Sequence, residues 1–183
     1  MLFSHTSVGL LLVIVLVQLV SVARGHVTEL DMDLYANHRP FKKCDDTKTD
    51  NTFFSYHIHV LYWQNSENST AMAMDLRQRF TDEFQAKECP DNVDSGDAAP
   101  YQHSVCWWKP DEQPAGPFTT AQYAFFIPKG YERLGDTVHW IMQRRGSLDT
   151  FIHPNSGCSK LDHTEWGLWG GNKWELDASI FSH

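Results

Sequence analysis

The chain has no Lys/Arg-rich run. Its 15 basic side chains are spread among 23 acidic ones, for a formal charge of −8. Nucleic-acid binding relies on clustered cations that displace condensed counterions, so this absence argues against a nucleic-acid partner. It argues equally against an anionic membrane surface. No Cys-x-x-Cys pair occurs, and the four cysteines lack the spacing of a zinc knuckle. After the first 25 residues no apolar stretch reaches spanning length. No internal repeat stands out. The chemistry of this chain has to come from individual side chains.

What is present begins with an apolar core, Leu10 to Val17, followed by Val20-Ser21-Val22-Ala23-Arg24-Gly25. Ala23 and Gly25 provide the small residues of a signal-peptidase site, and the stretch is too short and wrongly flanked for a spanning helix. The pattern predicts a secretory signal peptide over residues 1–25 and a secreted, extracellular product. An extended polar segment over 26–52 and a single domain over 53–183 follow. Aromatics at 13%, with seven Trp, supply ample material for a core. In an exported chain an even cysteine count predicts two disulfides, with three pairings open. Cys89 and Cys106 close the shorter loop and are the cheapest to join, which leaves Cys44 with Cys158. Asn68-Ser69-Thr70 is a glycosylation sequon, expected in a polar turn.

Hydrophobic periodicity orders the domain. Phe53 to Trp63 alternates as a strand. Thr70 to Ala86 carries Met72, Leu76, Phe80 and Phe84 at four-residue spacing, a helix capped by Ser69 or Thr70. Glu88 to Gln102, rich in Asp, Pro, Gly and Ala, reads as a loop. His103 to Trp108 and Phe118 to Ile127 are two further strands, separated by the proline-rich turn Lys109 to Pro117. Tyr131 to Arg145 is a second helix with Leu134, Val138, Ile141 and Met142 on one stripe, closed by Gly146. Ser147 to His153 is a fourth strand. The order β-α-β-β-α-β predicts an α+β, ferredoxin-like sheet in the order 4-1-3-2 with both helices on one face. Strands 1 and 3 are expected to be parallel, and strand 4 antiparallel to strand 1. The helix-free face is expected to be covered by something else or to bind something, and a second copy in a homodimer would also bury it.

Two histidines one residue apart, His57 and His59, share a face of strand 1, because alternate side chains of a strand point the same way. At roughly 6–7 Å apart they suit half of a metal site; on a solvated face the same pair would be plain polar residues. Strand 4 brings His153 beside the start of strand 1, at a parity that lets it join the pair. Three imidazoles converging there suit Fe(II), Zn(II) or Cu(II). His163 can fold back over His153, with Asp162 as an acceptor for a neighbouring imidazole. His139 reads as a surface or boundary residue, and nothing points to function for His103 or His183.

Several blocks carry a family resemblance. Tyr56-His57-Ile58-His59-Val60 is followed by Asp75-Leu76-Arg77. Later come Arg145-Gly146-Ser147-Leu148, Ile152-His153-Pro154-Asn155-Ser156-Gly157, Asp162-His163-Thr164 and Leu168-Trp169-Gly170. In this order and at this spacing they resemble the DOPA 4,5-dioxygenase family of fungi and bacteria, over about Tyr56 to Gly171. The resemblance implies a ferredoxin-like α+β fold and extradiol cleavage of a catechol ring by dioxygen at a non-haem metal, with Fe(II) foremost and Zn or Cu as alternatives. It implies His57, His59 and His153 as metal ligands and His163 as the proton-handling group. Tyr123 and Trp63, together with Phe118, are the expected substrate-pocket residues for a small aromatic. The family shows Gly-Pro-His where this chain has Gly116-Pro117-Phe118. A phenyl ring can neither ligate a metal nor move a proton. The alternative reading is therefore an inactive, secreted module that kept the fold and binds a metal or a small molecule.

Overall fold

The computed structural model describes residues 53, 55–90, 93, 104–129 and 132–181, with the side chains of 132 and 133 excepted. The expectations for the signal peptide, the whole segment over 26–52 with Cys44, and His103 and His183 lie outside the described residues.

Alternation along the first strand decides which way the sheet faces. In β1, Ser55–Tyr62, the side chains of Ile58 and Val60 are fully buried and Tyr62 nearly so, all in the main core. His57 and His59 point to the opposite face. β1 lies inside a six-stranded sheet of order β2-β3-β4-β1-β5-β6. Here β2 is Lys87–Glu88, β3 Cys106–Trp107, β4 Ala121–Pro128, β5 Asp149–Asn155 and β6 Leu168–Gly170. Without the short edge strands β2 and β6 this is the 4-1-3-2 order, and the α+β ferredoxin-like class holds.

One directional expectation is corrected. β1 and β4, strands 1 and 3 of the motif, pair antiparallel, as do β1 and β5. The reason is topological. A strand-helix-strand crossover returns the chain in its original direction, and the link from β3 to β4 then reverses it. Among the paired strands of the described residues, β2 and β3 are the one parallel pair.

Helix α1, Glu67–Phe84, and helix α2, Glu132–Arg144, contribute to the core that covers the Ile58 and Val60 face. Leu76 and Phe80 are the buried stripe of α1, and Phe80 stacks on Phe125 of β4 at 3.7 Å between ring centroids. Truncating such a ring to Ala costs about 3–5 kcal/mol. The helix starts a turn earlier than expected. Ser66, not Ser69 or Thr70, is the cap, and its side chain accepts from the Ser69 amide. Asn68 consequently sits exposed in the first turn of α1 and not in a loop. On α2, Ile141 is buried but Met142 is 68% exposed, and Trp140 takes the inward place. A 100° step per residue carries Met142 off the stripe centred between Thr137 and Ile141. Gly146 has φ +60°, the left-handed geometry of a helix-ending glycine.

Of the alternatives for the helix-free face, the chain takes the first over part of it. Leu61, Phe118 and Phe151 form a second small core there, covered by Trp169, Trp174 and Leu176 from the C-terminal segment. Trp174 Nε1 donates to Asp149 at 2.8 Å, and Phe118 and Leu176 form a backbone bridge. Gly171, at φ +99°, lets this segment approach: a Cβ there would lie 2.2 Å from the Asp149 carboxylate.

Cys89 and Cys106 are disulfide-bonded, joining the end of β2 to β3. Cys158 is also disulfide-bonded, and its expected partner lies outside the described residues.

Candidate metal centre

β1 and β5 deliver three imidazoles to one place. His57 and His153 are directly opposite in the antiparallel register, and His59 follows on the same face one pleat along. One ligand atom from each of His57, His59 and His153 lies within 4.8 Å of the others. His59 and His153 are buried, with His57 half-buried.

Hydrogen bonds settle which nitrogens are available. His153 Nδ1 lies 2.7 Å from the Pro154 carbonyl oxygen, which can only accept, so Nδ1 carries the proton. His59 Nδ1 lies 2.8 Å from Gln122 Oε1 and donates likewise. Both rings therefore present a bare Nε2 lone pair, and these two atoms face each other at 3.1 Å. Two lone pairs so placed repel unless a cation lies between them. Nitrogen ligands bind Zn(II) and similar ions at about 2.0–2.1 Å, so two of them at roughly right angles span this separation. The donor set fits a divalent first-row metal held by His57, His59 and His153.

Electrostatics agree. Burial first, then the proximity of His57, holds His59 well below the ordinary imidazole range, although the Gln122 bond opposes the shift. Burial, then His57 and His59, does the same for His153. Both stay neutral, the state a metal needs.

His163, on the short helix α3, Ser159–Thr164, packs against His153 with ring centroids 4.0 Å apart and the planes tilted by 40°. Its Nδ1 donates to the Ser159 carbonyl at 2.8 Å, and burial lowers its pKa to about 4. It backs His153 without joining the ligand cluster. The hydrogen bonds described for Asp162 go to Ser156 and not to an imidazole. Its buried carboxylate accepts from the Ser156 amide at 3.1 Å and the Ser156 hydroxyl at 2.7 Å, closing the turn after β5. Phe118 does lie at the centre, its ring 4.4 Å from His59.

Two other expected pocket residues lie elsewhere. Tyr123 is fully buried among the helices and donates from its hydroxyl to the Ala73 carbonyl at 2.8 Å. In β4 the even positions share the histidine face and the odd ones the helix face, and Tyr123 is odd. Trp63 falls past the end of β1, is 61% exposed, and packs on Trp174 at 4.6 Å. His139 is exposed on α2.

A cavity of about 440 Å³ opens beside His57 and His59, lined also by Trp108, Lys109, Asp111 and Gln122. Trp108 meets His57 edge-on at 4.9 Å. His163 is not among the residues of this cavity; it borders a second one of about 610 Å³ with Trp169 and Trp174. Sequence reasoning missed Trp108 as a wall of the site, and missed Gln122 and Asp111 altogether. The available signal was Gln122 itself, a lone amide in an apolar strand at histidine-face parity.

The Dopa 4,5-dioxygenase family model matches residues 56–180. An uncharacterised 21.2 kDa protein of Botryotinia fuckeliana is 25% identical over 135 residues, 69% of this chain. The chain spans 62% of that relative's length. The crystal structure of a candidate dioxygenase from Nostoc punctiforme superposes with a TM-score of 0.53 at 20% identity, over 69% of this chain and 90% of the other. At that identity the likeness speaks for the fold. The family match spans both strands that carry the imidazoles and the turn that ends in Asp162: the chain belongs to the Dopa 4,5-dioxygenase family.

Proposed function

We propose that the protein is a metal-dependent extradiol dioxygenase, with His57, His59 and His153 holding Fe(II) and a catechol-type aromatic entering the cavity beside them. The observation that carries this reading is the 3.1 Å approach of two unprotonated Nε2 atoms, completed by His57. When bound, the ion supplies Lewis acidity and redox capacity. The chain's own side chains do the rest. The cavity of about 440 Å³ falls in the size range of small-molecule sites. Trp108 offers an apolar wall for an aromatic ring. Neutral His59 and His153 keep their lone pairs available, and His163 acts on the site by holding His153 in place.

Cleavage of the ring carbon–carbon bond beside the diol would place one atom of dioxygen in a carboxylate and the other in an aldehyde at the two new ends. Anaerobic loading with Fe(II), followed by a catechol and air, tests the reading by the appearance of a yellow ring-opened product. Full iron loading with no ring opening would overturn it. Phe118 favours the second reading in that event, a module that binds metal without turnover, because it fills the place beside His59 with a ring that ligates nothing. The Cys89–Cys106 disulfide supports export to an oxidising compartment, and N-terminal sequencing of the secreted protein tests it.

A further inference from the structure

Gln122 is 7% exposed in a strand that is otherwise apolar, and both ends of its amide are committed. Its Nε2 donates to the Asp111 carboxylate, which can only accept. That fixes the amide orientation, so Oε1 must face His59 Nδ1, at 2.8 Å. Asp111 is itself held opposite Gln122 by two main-chain hydrogen bonds, of 2.8 and 3.1 Å. The proline-rich turn that carries Asp111 thus delivers a carboxylate whose side-chain contact is the back of this amide.

We propose that Gln122, oriented by Asp111, is a positioning residue that keeps His59 in the tautomer able to bind a metal. The proposal rests on the metalloenzyme reading above. The competing state is specific. With no acceptor at Nδ1, the His59 proton would move to Nε2 and donate to His153 Nε2, already 3.1 Å away. That His59–His153 bond would occupy both lone pairs and close the site to metal. The Gln122 carbonyl makes the other tautomer the better bonded one, and Asp111 prevents the amide from turning over. Acceptors behind a metal-bound imidazole act in this way in general, fixing its tautomer and raising its basicity.

The test reads the proton directly. Nitrogen-15 NMR of the imidazoles in the metal-free full chain should show His59 protonated at Nδ1, and at Nε2 in Gln122→Leu. Co(II) affinity of that variant should fall roughly 10–100-fold. Gln122→Glu combined with Asp111→Asn, which keeps an acceptor toward His59 and a donor between the two side chains, should retain the Nδ1 proton and bind Co(II) at least as tightly as the wild type. Should Gln122→Leu fail to fold, Asp111→Ala at an exposed side chain is read instead, with a mixture of tautomers and a smaller loss of affinity expected. A wild-type proton on Nε2, or a tautomer that none of these changes moves, overturns the proposal. Absence of Co(II) binding by the wild type would instead remove the metal reading, and the tautomer measurement would still decide the role of Gln122.

Discussion

The ring of Phe118 lies 4.4 Å from the ring of His59 and is itself 4% exposed. A side chain at this position touches a histidine of the candidate metal site and also belongs to the small core with Leu61 and Phe151. Phe118→His should therefore have two opposed effects. Burying an imidazole in this apolar cluster should cost about 1–3 kcal/mol in the metal-free protein, read by urea denaturation. Metal should restore that stability, because a fourth ligand binds only the folded state. If added Zn(II) stabilises the variant no more than the wild type, Phe118 does not occupy a ligand position.

Removing a ligand should separate a metal centre from a polar patch. His153→Ala and His57→Ala are expected to lower bound metal from one ion per chain to well under half, measured by elemental analysis of protein purified without added metal. Stoichiometry unmoved by both changes would count decisively against the three-histidine centre.

The depressed histidines make the metal-free protein acid-sensitive. An unfolded imidazole takes up its proton near 6.5, whereas His163 holds out to about 4 and His59 and His153 are also lowered well below the usual range. Between these values the unfolded chain binds more protons than the folded one. Stability contributed by these groups is thus complete above about pH 6.5 and is lost as pH falls. Denaturation midpoints from pH 8 to 4 should decline in this window, and His163→Phe should flatten the upper part of the decline. A flat profile in the wild type would mean that these rings are not buried neutral.

Asp162 should matter to stability more than to metal. Its carboxylate satisfies both the amide and the hydroxyl of Ser156 in a buried turn. Asp162→Ala should lower stability by about 1–3 kcal/mol while metal stoichiometry stays at the wild-type level. Loss of metal in the folded variant would show that the turn positions His153 after all.

The Cys89–Cys106 bond closes 17 residues and builds one wall of the cavity through Cys89. Replacing both by Ser should cost about 3 kcal/mol by the loop-entropy argument, read from thermal unfolding against the wild type. An unchanged midpoint would mean that the loop is equally restrained without it.

Much of the site is local in origin and therefore legible in the chain. The two-residue repeat of a strand puts His57 and His59 on one face, and strand order brings His153 opposite. The apolar stripes of α1 and α2 placed the core on the other face, with Met142 the one misplaced member. What periodicity cannot carry is register between distant segments. It did not reveal that Tyr123 faces the helices and not the site, that Asp162 serves Ser156, or that the segment after β6 covers part of the free face. A turn 11 residues away supplies the carboxylate behind Gln122, and no local pattern announces it. The sequence by itself determined the four central strands, the two faces of the sheet and which face the three imidazoles share, because strand alternation and helix periodicity act over a few residues. Only the tertiary structure decided which nitrogens are free to bind, because a tautomer is set by the acceptor that long-range packing places behind the ring.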